Sequence, residues 1–114
     1  PLENYVGRTS LKELAWLLAK SKILICNESG PAHIATAVGT STVSIVGGGH
    51  FGRFVPYPKI PGSINKFEAV FQKMPCYGCN WECIYPIKKN EPAPCITTIS
   101  VDAVWEKVKP LLPC

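Results

Sequence analysis

The residues of this chain whose types could do chemistry gather in one stretch. Asn27-Glu28-Ser29-Gly30-Pro31 interrupts the apolar run Ile23-Leu24-Ile25-Cys26 and opens a short apolar helix predicted from Pro31 to Val38, with Gly39 as its stop. A helix start of this kind presents unpaired backbone N–H groups and the positive end of a dipole, and Ser29 and Gly30 are small enough to let an anion approach. After the next apolar run, Ser41 to Val46, comes Gly47-Gly48-Gly49, read as flexible backbone beside the first corner, with Gly48 near the ligand and His50 and Arg53 as cationic partners. Glu28 does not suit a bare phosphate, because a carboxylate repels phosphate oxygens; it does accept hydrogen bonds from sugar hydroxyls. A sugar diphosphate meets both demands.

The elements that must position these groups follow from pattern. Ile23 to Cys26 is continuously apolar and reads as a strand buried on both faces, and strand, helix and strand in so few residues form a βαβ crossover of a parallel sheet. Both post-strand loops then emerge at the same carboxyl edge, where open α/β sheets bind ligands. Upstream, Ser10 and Glu13 form a capping box for a helix with Leu11, Leu14, Ala15, Leu17 and Leu18 on its inner face, packed on the sheet, and Trp16 on a flank. Tyr5-Val6 reads as the end of an earlier strand, and Thr9, in the loop before the cap, as a further donor contact. Asn27 also suits simple closure of its turn, and His33 suits packing beside Ile34 and Ala37 rather than catalysis.

The run Asn27-Glu28-Ser29-Gly30-Pro31-Ala32-His33-Ile34-Ala35 resembles the donor-binding segment of the heptosyltransferase-like glycosyltransferases, family 9. So do Gly7-Arg8-Thr9-Ser10-Leu11 and Glu13-Leu14-Ala15 upstream, and Cys76-Tyr77-Gly78-Cys79 and the final helix downstream. The most specific part is Ser29-Gly30-Pro31 followed by His33. The resemblance implies two Rossmann-like domains facing a cleft, the GT-B architecture, and inverting transfer of a hexose or heptose from a nucleotide-diphosphate sugar to a lipopolysaccharide core or related glycolipid or glycan acceptor. It assigns residues 1–114 to the later part of the carboxyl-terminal, nucleotide-sugar-binding domain. That domain takes in a cysteine-rich segment over 75–95 and a last helix over 100–112. The resemblance also gives Pro31 and His33 a binding or helix-start role. It implies no required cofactor and places the general base in an amino-terminal domain, so that these residues alone would be inactive. Two positions depart from the family: the usual Asp is Glu28, and the usual Gly-Pro-Thr after the next strand is Gly47-Gly48-Gly49-His50.

Composition narrows the remaining classes. At 114 residues the chain makes one domain at most, and 46% hydrophobic with 18% charged residues indicates a folded core. A formal charge of +4 is compatible with a polyanionic or anionic-membrane partner, but there is no basic-aromatic motif and no nucleic-acid partner is expected. There is no signal sequence or bilayer-length apolar run, so the expectation is a cytoplasmic protein, at most peripheral to the inner membrane. An open sheet edge would favour self-association.

Gly47, Gly49 and Gly52 formally match G-x-G-x-x-G, but Pro56 and Pro58 stand where its helix should run, which rejects the dinucleotide fingerprint. The stretch 47–62 is instead read as a mobile flap or a surface connection, and Phe67, Ala69 and Phe71 as a strand. Ser29 lacks the flanking glycines of a nucleophile elbow, having Asn27 and Pro31 in their places. Cys76, Cys79, Cys83 and Cys95 have a spacing open to zinc, to iron-sulfur ligation, to bridges or to plain thiols beside Trp81. A cysteine-rich metal-binding or interaction module without catalysis is therefore the alternative reading. Ser100 caps the last helix, with Val101, Val104, Trp105, Val108 and Leu111 at helical spacing and Pro110 and Pro113 ending it.

Overall fold

The structure, a computed structural model, describes residues 2–63 and 66–113. Helix α1 spans Leu11–Lys20, strand β1 Ile23–Asn27, helix α2 Gly30–Ala37, strand β2 Ser41–Ile45, strand β3 Phe67–Val70, helix α3 Pro94–Thr97 and helix α4 Val101–Val108, with a 3-10 turn over Lys109–Leu111. The three strands form one sheet in the order β1-β2-β3, and both pairings are parallel. Ile23 pairs with Ser41 and Asn27 with Ile45 across β1 and β2. The expected βαβ unit is thus present, and the fold is α/β with a small parallel sheet and flanking helices.

Local signals set the element ends. Ser10 Oγ accepts from Glu13 N–H at 3.2 Å and Glu13 Oε2 accepts from Ser10 N–H at 2.6 Å, the full capping box. Ser100 Oγ accepts from Ala103 N–H at 3.1 Å to start α4. Gly39 takes φ +83, the left-handed conformation that ends α2 without a Cβ penalty. Helix α4 ends at Val108, just ahead of Pro110, which sits inside the 3-10 turn that follows.

Helices α2 and α4 both pack on β2, and Thr42, Val43 and Ser44 are all inaccessible, so this strand is covered on both faces. Val43, Val70 and Val108 form the core, joined by Ile23, Ile99, Val104 and Leu111. Burial on both faces was expected of β1, but Ile25 there is 50% exposed. The order of strands explains the exchange: β1 borders the sheet and β2 is central.

Other expectations need correction. Tyr5-Val6 is no strand among the described residues but a turn, in which Arg8 N–H donates to Tyr5 O at 3.0 Å. Helix α1 packs chiefly on α2 rather than on the sheet, and Leu11, the first residue of α1, is 71% exposed. A buried hydroxyl bond from Thr40 Oγ1 to Leu18 O at 2.7 Å ties the two helices' ends. Phe71 lies past β3 and stacks on Phe51 with centroids 4.6 Å apart.

Candidate functional site

A cavity of about 670 Å³ opens where β1 and β2 end. Asn27, Glu28, Ser29, Gly30 and His33 come from the β1–α2 corner, Ile45 and Gly47 from the end of β2, His50 and Phe54 from the following loop, and Trp81 and Ile96 from the segment after β3. Its place is the carboxyl edge of a parallel sheet, and sequence spacing alone puts both loops there.

The corner sets a helix-start amide beside a carboxylate acceptor. Ser29 is the N-cap residue of α2 but makes no side-chain cap; its Oγ donates to Asn27 O at 3.2 Å. Pro31, second in the helix, has no N–H, and Ala32 N–H already donates to Ser29 O at 3.1 Å. The Gly30 amide has no partner among the described residues, and a Cβ added at Gly30 would meet nothing within 4 Å.

Beside it, Glu28 Oε2 is buried and has no hydrogen-bond partner among the described residues. Burial raises the Glu28 carboxyl above its usual range, while His50 and His33 pull it back. A buried acceptor without a donor is costly and is relieved by any ligand that supplies one.

The two histidines are engaged elsewhere. His33 Nδ1 is hydrogen-bonded to Tyr57 Oη, and the rings meet edge-on at 5.7 Å. Tyr57 in turn packs edge-on to Phe67 at 4.8 Å, so His33 pins the loop after β2 onto α2 and β3. His50 Nε2 is 2.7 Å from Asn80 Oδ1. Among the described residues neither histidine is hydrogen-bonded to Ser29, whose hydroxyl is turned to Asn27 O.

The glycine triplet is not the flexible cradle that its composition suggests. Gly47, Gly48 and Gly49 are all buried. A Cβ on Gly49 would lie 2.2 Å from Trp81 Cδ2, one on Gly48 2.4 Å from Tyr77 Cδ1, and one on Gly47 2.5 Å from Trp81 Cη2. Backbone bonds fasten the two segments together, with Gly78 N–H donating to Gly48 O at 2.8 Å and Asn80 N–H to Gly49 O at 2.9 Å. Glycine is required there because aromatic rings occupy the space of a side chain. Further along the expected flap, Val55 is fully buried and Gly52 N–H donates to Val55 O at 2.8 Å, so the loop is folded down at both points.

Of the residues expected at the site, Asn27, Glu28, Ser29, Gly30, His33 and His50 line the cavity. Thr9, Pro31, Gly48 and Arg53 do not: Thr9 is half-buried before α1, Gly48 lies under Tyr77, and the Arg53 guanidinium sits 5.2 Å from the Phe54 ring centroid. Cys76, Cys79, Cys83 and Cys95 are free thiols, and among the described residues no three metal-ligating side chains come together. What organises their segment is aromatic packing on the glycine turn. Sequence reading missed Ile45, Phe54, Trp81 and Ile96 as site residues, since no short-range pattern brings the segment after β3 to this edge.

The sequence matches the family model of glycosyltransferase family 9 (heptosyltransferase) over residues 2–82, which takes in every cavity residue except Ile96. It is 34% identical over 70 residues to the lipopolysaccharide core heptosyltransferase OpsX of Haemophilus influenzae, an alignment covering 61% of this chain and 20% of that protein. It is 26% identical over 110 residues to lipooligosaccharide heptosyltransferase 2 of Campylobacter jejuni, covering 96% of this chain and 32% of that protein. The matched chain thus spans between a fifth and a third of the length of these curated relatives. No solved structure gives a significant match. With most of its length matched and the motif residues gathered at one cavity, the chain belongs to glycosyltransferase family 9, the heptosyltransferase family.

Proposed function

We propose that this chain is the donor-binding portion of a GT-B glycosyltransferase, part of a nucleotide-sugar-binding domain that presents a heptose-type sugar for transfer to a lipopolysaccharide core or a related glycan. The observation that carries the reading is the pairing, in one cavity, of an open helix-start amide at Gly30 with the buried, unpartnered Oε2 of Glu28. A phosphate wants the first and sugar hydroxyls want the second. Family membership and the two heptosyltransferase relatives support the same substrate class.

In this reading the Gly30 amide and the dipole of α2 stabilise the charge that grows on the departing nucleoside diphosphate, so that this chain lowers the barrier through fixed dipoles. Glu28 accepts from sugar hydroxyls and sets the orientation of the glycosyl ring. Inverting transfer also requires a base on the acceptor hydroxyl. Both cavity histidines are tied to Tyr57 and Asn80, so we assign the base to a part of the protein outside these residues and expect the isolated chain to bind donor without transferring sugar.

No helix among the described residues is long and apolar enough to cross a membrane. An acceptor embedded in a membrane would be reached by contact from its surface.

The test is a transfer assay with nucleotide-heptose donors on the intact protein. Glu28→Gln should lower transfer by about tenfold or more, the scale of a lost hydrogen bond to a charged group, while the fold is retained by circular dichroism. Unchanged transfer by that variant would remove Glu28 from the donor site.

A further inference from the structure

We propose that Trp81 is the platform on which the apolar C–H face of the donor's sugar ring stacks, and so a determinant of which sugar the protein accepts. The inference rests on the donor-site reading above and deepens it.

Trp81 lines the same cavity as Glu28 and Gly30, although it is far from both in sequence. Its indole is backed on one side by main chain. The Cβ position of Gly49 lies 2.2 and 2.3 Å from ring atoms Cδ2 and Cε2, and that of Gly47 2.5 Å from Cη2, so the ring rests directly on the glycine backbone. The backing is fixed by the bonds from Gly78 and Asn80 to Gly48 and Gly49. Trp81 is nevertheless 48% exposed and lines the cavity, a concave site where a large apolar surface meets solvent.

Backbone conformation makes the same point. Asn80 and Trp81 adopt φ +54 and +65, a region that a bulky aromatic residue rarely enters and that persists only where the surroundings over-determine it. Asn80 spends that geometry on His50, and Trp81 spends it on facing the cavity, with His50 edge-on to the indole at 6.1 Å and 71°. The indole seated on the glycine backbone thus gives the cavity a rigid, flat, apolar wall.

The occupant follows from what shares the cavity. Glu28 offers an acceptor and Gly30 an amide, so the group between them carries hydroxyls and adjoins a phosphate. A pyranose ring has hydroxyls on its edge and a C–H face that packs on indole. A nucleobase also has a flat face, and the experiment separates the two.

Affinities of the intact protein for ADP, GDP, UDP and CDP and for their heptose conjugates are measured by calorimetry, with Trp81 native, Trp81→Leu and Trp81→Phe. The expected result is that Trp81→Leu weakens the favoured conjugate by about fivefold and leaves the matching free nucleotide unchanged, with most of the loss restored in Trp81→Phe. Equal weakening of free nucleotide and conjugate would mean that the base stacks there, and would overturn the proposal. Unchanged affinities in Trp81→Leu would overturn it as well. Should Trp81→Leu lose all binding through misfolding, Trp81→Met, a longer apolar side chain without a flat face, decides: selective loss for the conjugate supports the proposal, and unchanged affinities or loss shared with the free nucleotide defeat it. Binding of no conjugate by the native protein would sink the donor reading itself, an outcome distinct from the others.

Discussion

Two glycine-containing corners stand at the same edge of the sheet and use the residue for opposite purposes. At Gly30 a Cβ would meet open space, and glycine keeps a helix-start amide approachable. At Gly47–Gly49 a Cβ would collide with Trp81 or Tyr77, and glycine lets two aromatic rings lie on bare backbone. The first glycine makes room for something outside the chain; the second group has its room filled by the chain itself. Absence of a side chain therefore has no meaning until one knows what occupies the vacated space.

The largest effect should come from the filled corner. Gly49→Ala places a methyl against the base of the indole, which cannot swing clear as a ring tip could, and should cost about 2–3 kcal/mol, the range for overpacking, or a fall in Tm of about 10 °C for a domain of this size. Replacing Trp81 by Leu in the Gly49→Ala background should recover part of the loss, and a thermal-melt double-mutant cycle measures the coupling. Additive effects would show that ring and glycine do not touch in solution.

The open corner should respond the other way. Gly30→Val should change stability by less than about 1 kcal/mol, since no neighbour lies in the way and propensity differences are small, yet reduce nucleotide-sugar affinity by about tenfold or more through blocked access to the amide. Calorimetry and thermal melts on the same sample separate the two quantities. A destabilised protein with normal affinity would invert the comparison.

Glu28 sharpens it further through pH. Its carboxyl is raised by burial, so its contribution to stability is fully present below the ordinary carboxylate range and is lost as pH rises through the raised value. Glu28→Gln should therefore melt higher than the native chain at neutral pH, and the difference should vanish near pH 4, about where an unperturbed Glu titrates. The same change weakens the donor, an exchange of function for stability common at binding sites.

The smallest effect is expected at the tie between the corners. Tyr57→Phe removes the hydroxyl bound to His33 while keeping the ring against Phe67, and should cost about 1 kcal/mol, the usual worth of one hydrogen bond. Hydrogen exchange over residues 50–57 reports whether the loop loosens.

Much of the β1–α2 corner was legible in residue order. The capping box at Ser10 and Glu13, the helix opened at Pro31, the stop at Gly39 and the parallel pairing of the two strands depend on neighbours within a few positions, where backbone stereochemistry leaves few choices. Burial of β1 was misread because an apolar run does not state whether it lies at the centre or border of a sheet; Ile25 is apolar and half-exposed all the same. Thr9 and Arg53 lie close in sequence to caps and glycines that matter, yet neither lines the cavity.

By itself, then, the sequence determined the local geometry of the β1–α2 corner, because capping, turn and crossover rules act over a few residues. Tertiary structure alone decided that the glycine triplet is a seat for Trp81 and Tyr77, that the four thiols do not converge, and that Trp81 and Ile96 wall the cavity. Those outcomes rest on how segments distant in sequence meet, where packing of one surface on another selects the arrangement and no short-range preference can.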